Sequence, residues 1–386
     1  MISFSEILDF HGTGLLPLLK LPRLPLDASM DAAALETQAM NGFDQNELDK
    51  GGLDKNALDQ SRRSLVTAIG LGAISAAAWA NGDGRKPTTN NPSALEASTA
   101  TTSVRYASQQ VGEVSVFYRE SGPSDAPVLL LLHGFPSASH MFRDLIPLLA
   151  QRYRVIAPDL PGFGNTLAPP RASFEYSFDR LAQVMAGFVD ALELSRYALY
   201  VFDYGAPIGF RLAMKHPERI ATIVSQNGNA YIEGLSQEWA PWQAYWRDPS
   251  AHNRDACRAA LTDEAIHFQH AHGAPEHRLS PDGYQLDSFH MRRPEAQEIQ
   301  LDLILSYRSN VALYPAFQNY FREYRPPLLA VWGKHDVFFI PPGAQAFKRD
   351  LPDADIDFLD AGHFAAETHY VEIARLMRDF LRRHRY

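Results

Sequence analysis

The chain has one cysteine, Cys257, in 386 residues. That excludes an intramolecular disulfide framework. No helix start and no basic pocket is evident around Cys257, so an inert, buried thiol is expected rather than a reactive one. Basic residues form no long cluster. Arg382-Arg383-His384-Arg385 comes nearest and reads as the solvated end of a terminal helix. With a formal net charge of −9, binding to nucleic acid or an anionic membrane has no electrostatic support. No apolar run is long enough for a comfortable transmembrane helix. No G-x-S-x-G elbow occurs, so the serine route to acyl transfer lacks its local signature. The polar near-repeat of residues 44–49 and 54–59 lacks the central glycine and terminal glutamate of a calcium loop. It reads as a disordered segment.

What is present is ordinary globular material, 46% hydrophobic and 21% charged, ample for one large core or two domains. Residues 1–102 read as an N-terminal extension outside the fold. Within it, Ser61-Arg62-Arg63-Ser64-Leu65-Val66 precedes an apolar stretch ending Ala78-Trp79-Ala80. Paired arginine, apolar region and A-x-A in that order resemble a twin-arginine export signal over about residues 61–80. This predicts a periplasmic or secreted protein, with the cytoplasm as the alternative if the arginine pair is fortuitous. A start at Met30 or Met40 would shorten the stretch before the arginines. Residues 81–102, rich in Gly, Pro, Asn, Ser and Thr, read as a linker.

From residue 103 strands alternate with helices. Strands are predicted near 103–109, 112–120, 128–132, 155–159, 198–202, 220–226, 328–332 and 354–359. Helices are predicted at 139–150, 178–194, near 343–350 and from about 366. The continuous apolar run Val128–Leu132 suits a parallel strand covered on both faces. Residues 230–322 interrupt the alternation with aromatic-rich helical sequence. The pattern predicts a doubly wound, mostly parallel α/β sheet, with residues 103–229 and 323–386 as core and 230–322 as an inserted helical cap.

Chemistry gathers where strands end. In Tyr197-Ala-Leu-Tyr-Val-Phe-Asp203-Tyr-Gly205 an apolar strand breaks at Asp203 and resumes as helix. This is the strand–turn–helix context of a nucleophile elbow, with aspartate in the nucleophile's place. A carboxylate there suits attack on saturated carbon and a covalent alkyl ester. Asp336 follows the strand at 328–332 and His363 the strand at 354–359. Alone, each reads as a turn or packing residue. Together, in the order nucleophile, acid, histidine, they point to a triad.

His133-Gly134-Phe135-Pro136, Asp159-Leu-Pro-Gly-Phe-Gly164 and the aspartate elbow resemble the epoxide hydrolase and haloalkane dehalogenase branch of the α/β-hydrolase superfamily. The resemblance spans residues 103–386. It implies Asp203 as nucleophile, His363 as the base that activates water, and Asp336 as the acid orienting it. It also implies backbone N–H groups of Phe135 and Tyr204 as oxyanion donors, and a cis bond before Pro136. Ser306-Tyr307-Arg308-Ser309-Asn310 resembles the second cap-tyrosine motif of epoxide hydrolases, which makes Tyr307 the candidate acid. At the first cap position Trp242 stands where tyrosine is expected, and Tyr245 lies one turn on. Trp242, Gln243, Tyr245, His133 and Pro136 are candidate substrate contacts, although His133 equally reads as a bridge between loops. Tyr204 replaces the tryptophan usual after the nucleophile. Asn227 and Asn229 stand near where some dehalogenases carry an acid, and neither can serve as one. The expected activity is hydrolysis of an epoxide to a vicinal diol. Alternatives are a haloalkane or haloacid dehalogenase, an ester or lactone hydrolase, and a non-catalytic ligand sensor. The partner is a small-molecule substrate, a homodimer is an option, and no metal or organic cofactor is implied.

Overall fold

The computed structural model describes residues 103–386. The export signal, the near-repeat and the linker lie outside these residues. β1 (Arg105–Val111) and β2 (Val114–Ser121) form an antiparallel hairpin. β3 (Val128–Leu132) leads through a 3-10 turn at Ser139–Phe142 to α1 (Leu145–Leu149). One helix was expected over 139–150. Pro147 has no N–H to donate and its ring clashes with the carbonyl four residues back. The α-helix therefore starts only at Leu145, which puts Pro147 in its first turn.

β4 (Arg154–Pro158) and α2 (Phe178–Ala191) follow. The Ser177 side chain accepts the Arg180 N–H and caps α2, and Asp179 complements its first turn. β5 (Tyr197–Phe202), α3 (Gly205–Lys215) and β6 (Ile220–Gln226) complete the first half of the core. The helical insertion then supplies α4 (Ala240–Arg247), α5 (Ala251–Ala256), α6 (Asp263–Ala271), α7 (Pro281–Met291), α8 (Ala296–Ser306) and α9 (Arg308–Tyr324). β7 (Leu328–Gly333), α10 (Pro341–Asp350), β8 (Asp355–Leu359), α11 (Ala365–Thr368) and α12 (Tyr370–Arg383) close the chain.

The sheet runs β1-β2-β4-β3-β5-β6-β7-β8. β2 pairs antiparallel with β1 and β4, and every other pairing is parallel. This is the doubly wound architecture expected from the sequence. The leucine run of β3 is explained by its two covered faces. Leu130 and Leu132 join Leu199 and Val201 in one buried cluster, and Leu129 and Leu131 join Ala198, Tyr200 and Phe202 in the other. The insertion's Trp239, Tyr307, Tyr314 and Phe317 belong to the first cluster, so that face of the sheet and the cap share one apolar interior.

A buried polar joint also ties cap to core. His140, in the turn after β3, places Nε2 2.9 Å from Asp287 Oδ1, and His270 Nε2 lies 2.8 Å from Asp287 Oδ2. Asp287 belongs to α7 and His270 to α6, and all three side chains are buried. Among the described residues no helix is long and apolar enough to cross a membrane.

Candidate active site

Asp203 occupies the turn between β5 and α3 with φ of +45°. A left-handed backbone is unfavourable for a residue with a Cβ, and such strain gathers at functional sites. The turn is tight enough that a Cβ on Gly205 would stand 2.3 Å from the Leu132 carbonyl oxygen. From the other side the loop after β3 presses onto the carboxylate, and a Cβ on Gly134 would meet Asp203 Oδ1 at 2.3 Å. That approach lets the Phe135 N–H donate to Asp203 Oδ1 at 2.6 Å. The Tyr204 N–H favours the ionised carboxylate as well. The Phe135–Pro136 peptide is cis.

His363 faces this carboxylate. Its Nε2 is 3.9 Å from Asp203 Oδ2, beyond hydrogen-bond reach, while its Nδ1 is 2.7 Å from Asp336 Oδ2. The Nδ1 contact selects the tautomer that leaves the Nε2 lone pair free to take a proton. Asp336 is itself held on three sides. Its Oδ1 accepts from the N–H groups of Phe338 (2.7 Å) and Phe339 (3.1 Å), and its Oδ2 accepts from Asn227 Nδ2 at 2.7 Å. Asn227, at φ of +48°, accepts the Gly333 N–H at 2.9 Å, and Gln226 Nε2 donates to the His363 carbonyl at 2.9 Å. Burial raises Asp203 to about 6, with His363 and the two backbone N–H groups opposing it. Burial pulls the His363 imidazole down, but Asp336 and Asp203 outweigh that and leave it raised. The arrangement therefore offers a carboxylate untied to its imidazole, a base pointing at it, and the Phe135 N–H donating to the oxygen where an oxyanion would form, with the Tyr204 N–H favouring the same negative charge.

Above the carboxylate the cap contributes aromatic walls. Tyr307, between α8 and α9, stacks on Trp246 (5.8 Å, 8°) and packs against Trp239, Phe178 and Tyr204. Tyr204 and Tyr307 are completely buried, and neither hydroxyl has a hydrogen-bond partner. Tyr314 lies beside Tyr307 and raises its phenol further, while its own hydroxyl accepts a 3.3 Å bond from Asn229. Trp242 sets its edge against Phe135 at 6.1 Å. The indole N–H groups of Trp239, Trp246 and Trp332 donate to carbonyls of Phe338, Ile304 and Phe339. Trp242 makes no such bond. Gln243 is half-buried beside it on α4.

Two expected substrate contacts are placed elsewhere. The Tyr245 hydroxyl accepts from Arg254 at 2.9 Å, and Arg254 continues to Asp302 and Glu298. Its phenol serves that ion network rather than the nucleophile. His133 Nε2 accepts the Leu160 N–H at 2.9 Å and its Nδ1 meets the Gly134 carbonyl at 3.1 Å. Burial pulls it to about 4, so it stays neutral and bridges two loops with both nitrogens engaged. Cys257 is buried, and desolvation pushes its thiol up to about 11. Among the described residues no group of histidine, cysteine and carboxylate side chains is arranged to hold a metal ion. Sequence reasoning considered Asn227 only as a failed acid. Its position directly after β6, on the edge that carries Asp203 and Asp336, was the available signal for a residue that orients the acid instead.

Residues 127–370 match the family described as alpha/beta hydrolase fold. An uncharacterized hydrolase of Saccharomyces cerevisiae is 44% identical over 269 residues, covering 68% of this chain and 91% of that protein. A haloalkane dehalogenase of Psychrobacter cryohalolentis is 38% identical over 138 residues, which are 34% of this chain and 45% of the dehalogenase. Among solved structures, haloalkane dehalogenase DbeA from Bradyrhizobium elkani superposes with a TM-score of 0.61 at 22% identity, covering 73% of this chain and 99% of that one. The 2-hydroxy-6-oxo-6-phenylhexa-2,4-dienoate hydrolase from Rhodococcus sp. strain RHA1 gives 0.60 at 19% identity, covering 73% and 100%. Such different substrates on one fold leave the reaction to be argued from the site.

Proposed function

Because the chain belongs to the alpha/beta hydrolase fold family, we propose that it is an epoxide hydrolase working through an ester on Asp203. An Asp203 oxygen attacks an epoxide carbon, the ring C–O bond breaks, and the departing oxygen takes the Tyr307 proton. His363 then removes a proton from water, and the resulting hydroxide adds to the Asp203 carboxyl carbon. The N–H groups of Phe135 and Tyr204 stabilise the tetrahedral oxyanion. Collapse releases the diol, whose alkoxide takes the carboxyl proton, and the imidazolium returns a proton to the phenolate. Asp336 holds the imidazole orientation throughout.

The observation that carries this reading is the Tyr307 hydroxyl. It is fully buried without a partner, in the field of the Asp203 carboxylate. A buried unsatisfied hydroxyl costs about 1–3 kcal/mol, which a substrate oxygen would offset. Halide departure needs N–H donors and no proton. A dehalogenase reading is the second choice, favoured by the uncommitted indole N–H of Trp242 and by the haloalkane dehalogenase relatives.

The deciding experiment is intact-mass spectrometry of the His363→Gln variant with separate panels of epoxides and haloalkanes. Without its base the protein stalls at the ester. A gain equal to a whole epoxide is expected. A gain equal to an alkyl group would replace this reading with dehalogenation. Export is likewise proposed, on residues 61–80. Full-length protein confined to the cytoplasm of its host would rule it out.

A further inference from the structure

The residue after the nucleophile is assigned nothing beyond its backbone N–H, yet its side chain is as conspicuous as that of Tyr307. The two rings lie 5.7 Å apart at 41°. Both side chains are fully buried, and both hydroxyls are unpartnered in an interior where buried polar atoms are nearly always bonded. Around Tyr204 stand Phe135, Phe163 and Phe178, none of which offers a side-chain acceptor, and the nearby Cys257 thiol raises its phenol without accepting a hydrogen bond from it. Burial holds both phenols well above the ordinary tyrosine value, helped by Asp203 at Tyr204 and by Tyr314 and then Asp203 at Tyr307, so each keeps its proton. Two protonated phenols therefore stand beside one nucleophilic carboxylate; the Tyr307 hydroxyl has the Tyr314 hydroxyl beside it, and the Tyr204 hydroxyl has no hydrogen-bond partner.

We infer that Tyr204 is a second catalytic phenol, and that its hydroxyl and that of Tyr307 together bind the departing epoxide oxygen. The inference rests on the epoxide reading and adds to it where the acid site comes from. As the ring C–O bond breaks, its electron pair passes to the oxygen, one of the two phenols transfers its proton, and the other holds the oxygen by hydrogen bond. A single proton moves, so the charge balance of the cycle is unchanged. The two donors come from different layers. Tyr204 starts α3 in the core, whereas Tyr307 joins α8 and α9 in the cap. The acid site is complete only with the cap seated, and Tyr204 supplies the phenol that Trp242 does not.

The test is rapid-quench measurement of ester formation in the His363→Gln background, with Tyr204→Phe or Tyr307→Phe added. Each phenol is expected to matter by roughly 10²-fold with an alkyl epoxide, the lower end of general-acid effects. The loss should shrink several-fold with a trifluoromethyl epoxide, whose alkoxide departs more easily. The melting temperature of Tyr204→Phe should stay level or rise, since an unpartnered hydroxyl is removed. If Tyr204→Phe forms ester within two-fold of its parent while Tyr307→Phe is slow, the second phenol is overturned and the epoxide reading stands. A lowered melting temperature with equal losses on both epoxides would assign Tyr204 a structural role instead. If the parent forms no ester with any epoxide, the epoxide reading fails and takes this inference with it.

Discussion

Among the described residues, two buried assemblies of carboxylate and imidazole are built in opposite proportion. In one, the imidazole of His363 lies between Asp336 and Asp203; in the other, the carboxylate of Asp287 lies between His140 and His270. Where carboxylates outnumber the imidazole, one is left over. Asp336 takes Nδ1 at 2.7 Å, and Asp203 stands off at 3.9 Å, raised to about 6 by burial. Where imidazoles outnumber the carboxylate, each oxygen has an imidazole nitrogen within 3 Å: His270 Nε2 hydrogen-bonded to Oδ2 at 2.8 Å and His140 Nε2 at ion-pair distance, 2.9 Å, from Oδ1. Burial favours protonating Asp287, but its two histidines overcome that and hold it well below the ordinary carboxylate range. The same chemical groups thus make a reactive oxygen in one place and an inert joint in the other. What differs is how many partners each carboxylate has.

The sharpest way to break this contrast is to delete each carboxylate. Asp203→Ala should lower turnover by at least about 10⁴-fold, as nucleophile removals do. It should leave stability at neutral pH level or higher, because an ionised carboxylate held in a desolvated place is removed. Asp287→Ala should cost about 3 kcal/mol in urea unfolding, the scale for a buried pair that loses one member. The surviving folded molecules should still form ester at a rate within roughly ten-fold of normal. Matching stability losses in the two variants would erase the distinction. A smaller effect should appear in the pH dependence. Single-turnover ester formation should rise with pH through about 6 as Asp203 ionises. The stability owed to protonated Asp203 should fade over the same interval, from the ordinary carboxylate range up through about 6. Asp287 runs the other way. Its contribution is present above the ordinary carboxylate range and is lost as pH falls below it. A pH–rate profile beside urea midpoints, for wild type and both variants, separates the two.

Local signals account for what could be read in the sequence. β3 has the bounds its apolar run suggests, because a strand covered on both faces favours uninterrupted apolar sequence, and β6 spans the predicted residues 220–226. The elbow was legible because small residues must flank a turn that leaves so little room. Asp203, Asp336 and His363 could be picked out because each follows a strand, and parallel strands deliver their ends to one edge. The remainder depended on distant partners. His140 and Asp287 are 147 positions apart, which no window reveals. Asn227 reaches Asp336 across 109 positions. The direction of the Tyr245 phenol was set by Arg254, on the next helix, and the burial of Tyr204 and Tyr307 against one another joins residues 103 positions apart.

The buried thiol of Cys257 has a practical consequence. Only 1% exposed and with its thiol at about 11, it should be silent to maleimides and disulfide reagents in the native state. No second cysteine exists to confuse the chemistry. The natural chain is thus already a blank background for site-directed labelling. One cysteine introduced on the exposed surface of α7 and another on that of α12 would accept a dye or spin pair without removing Cys257, and the distance between them would report the separation of the two layers in solution.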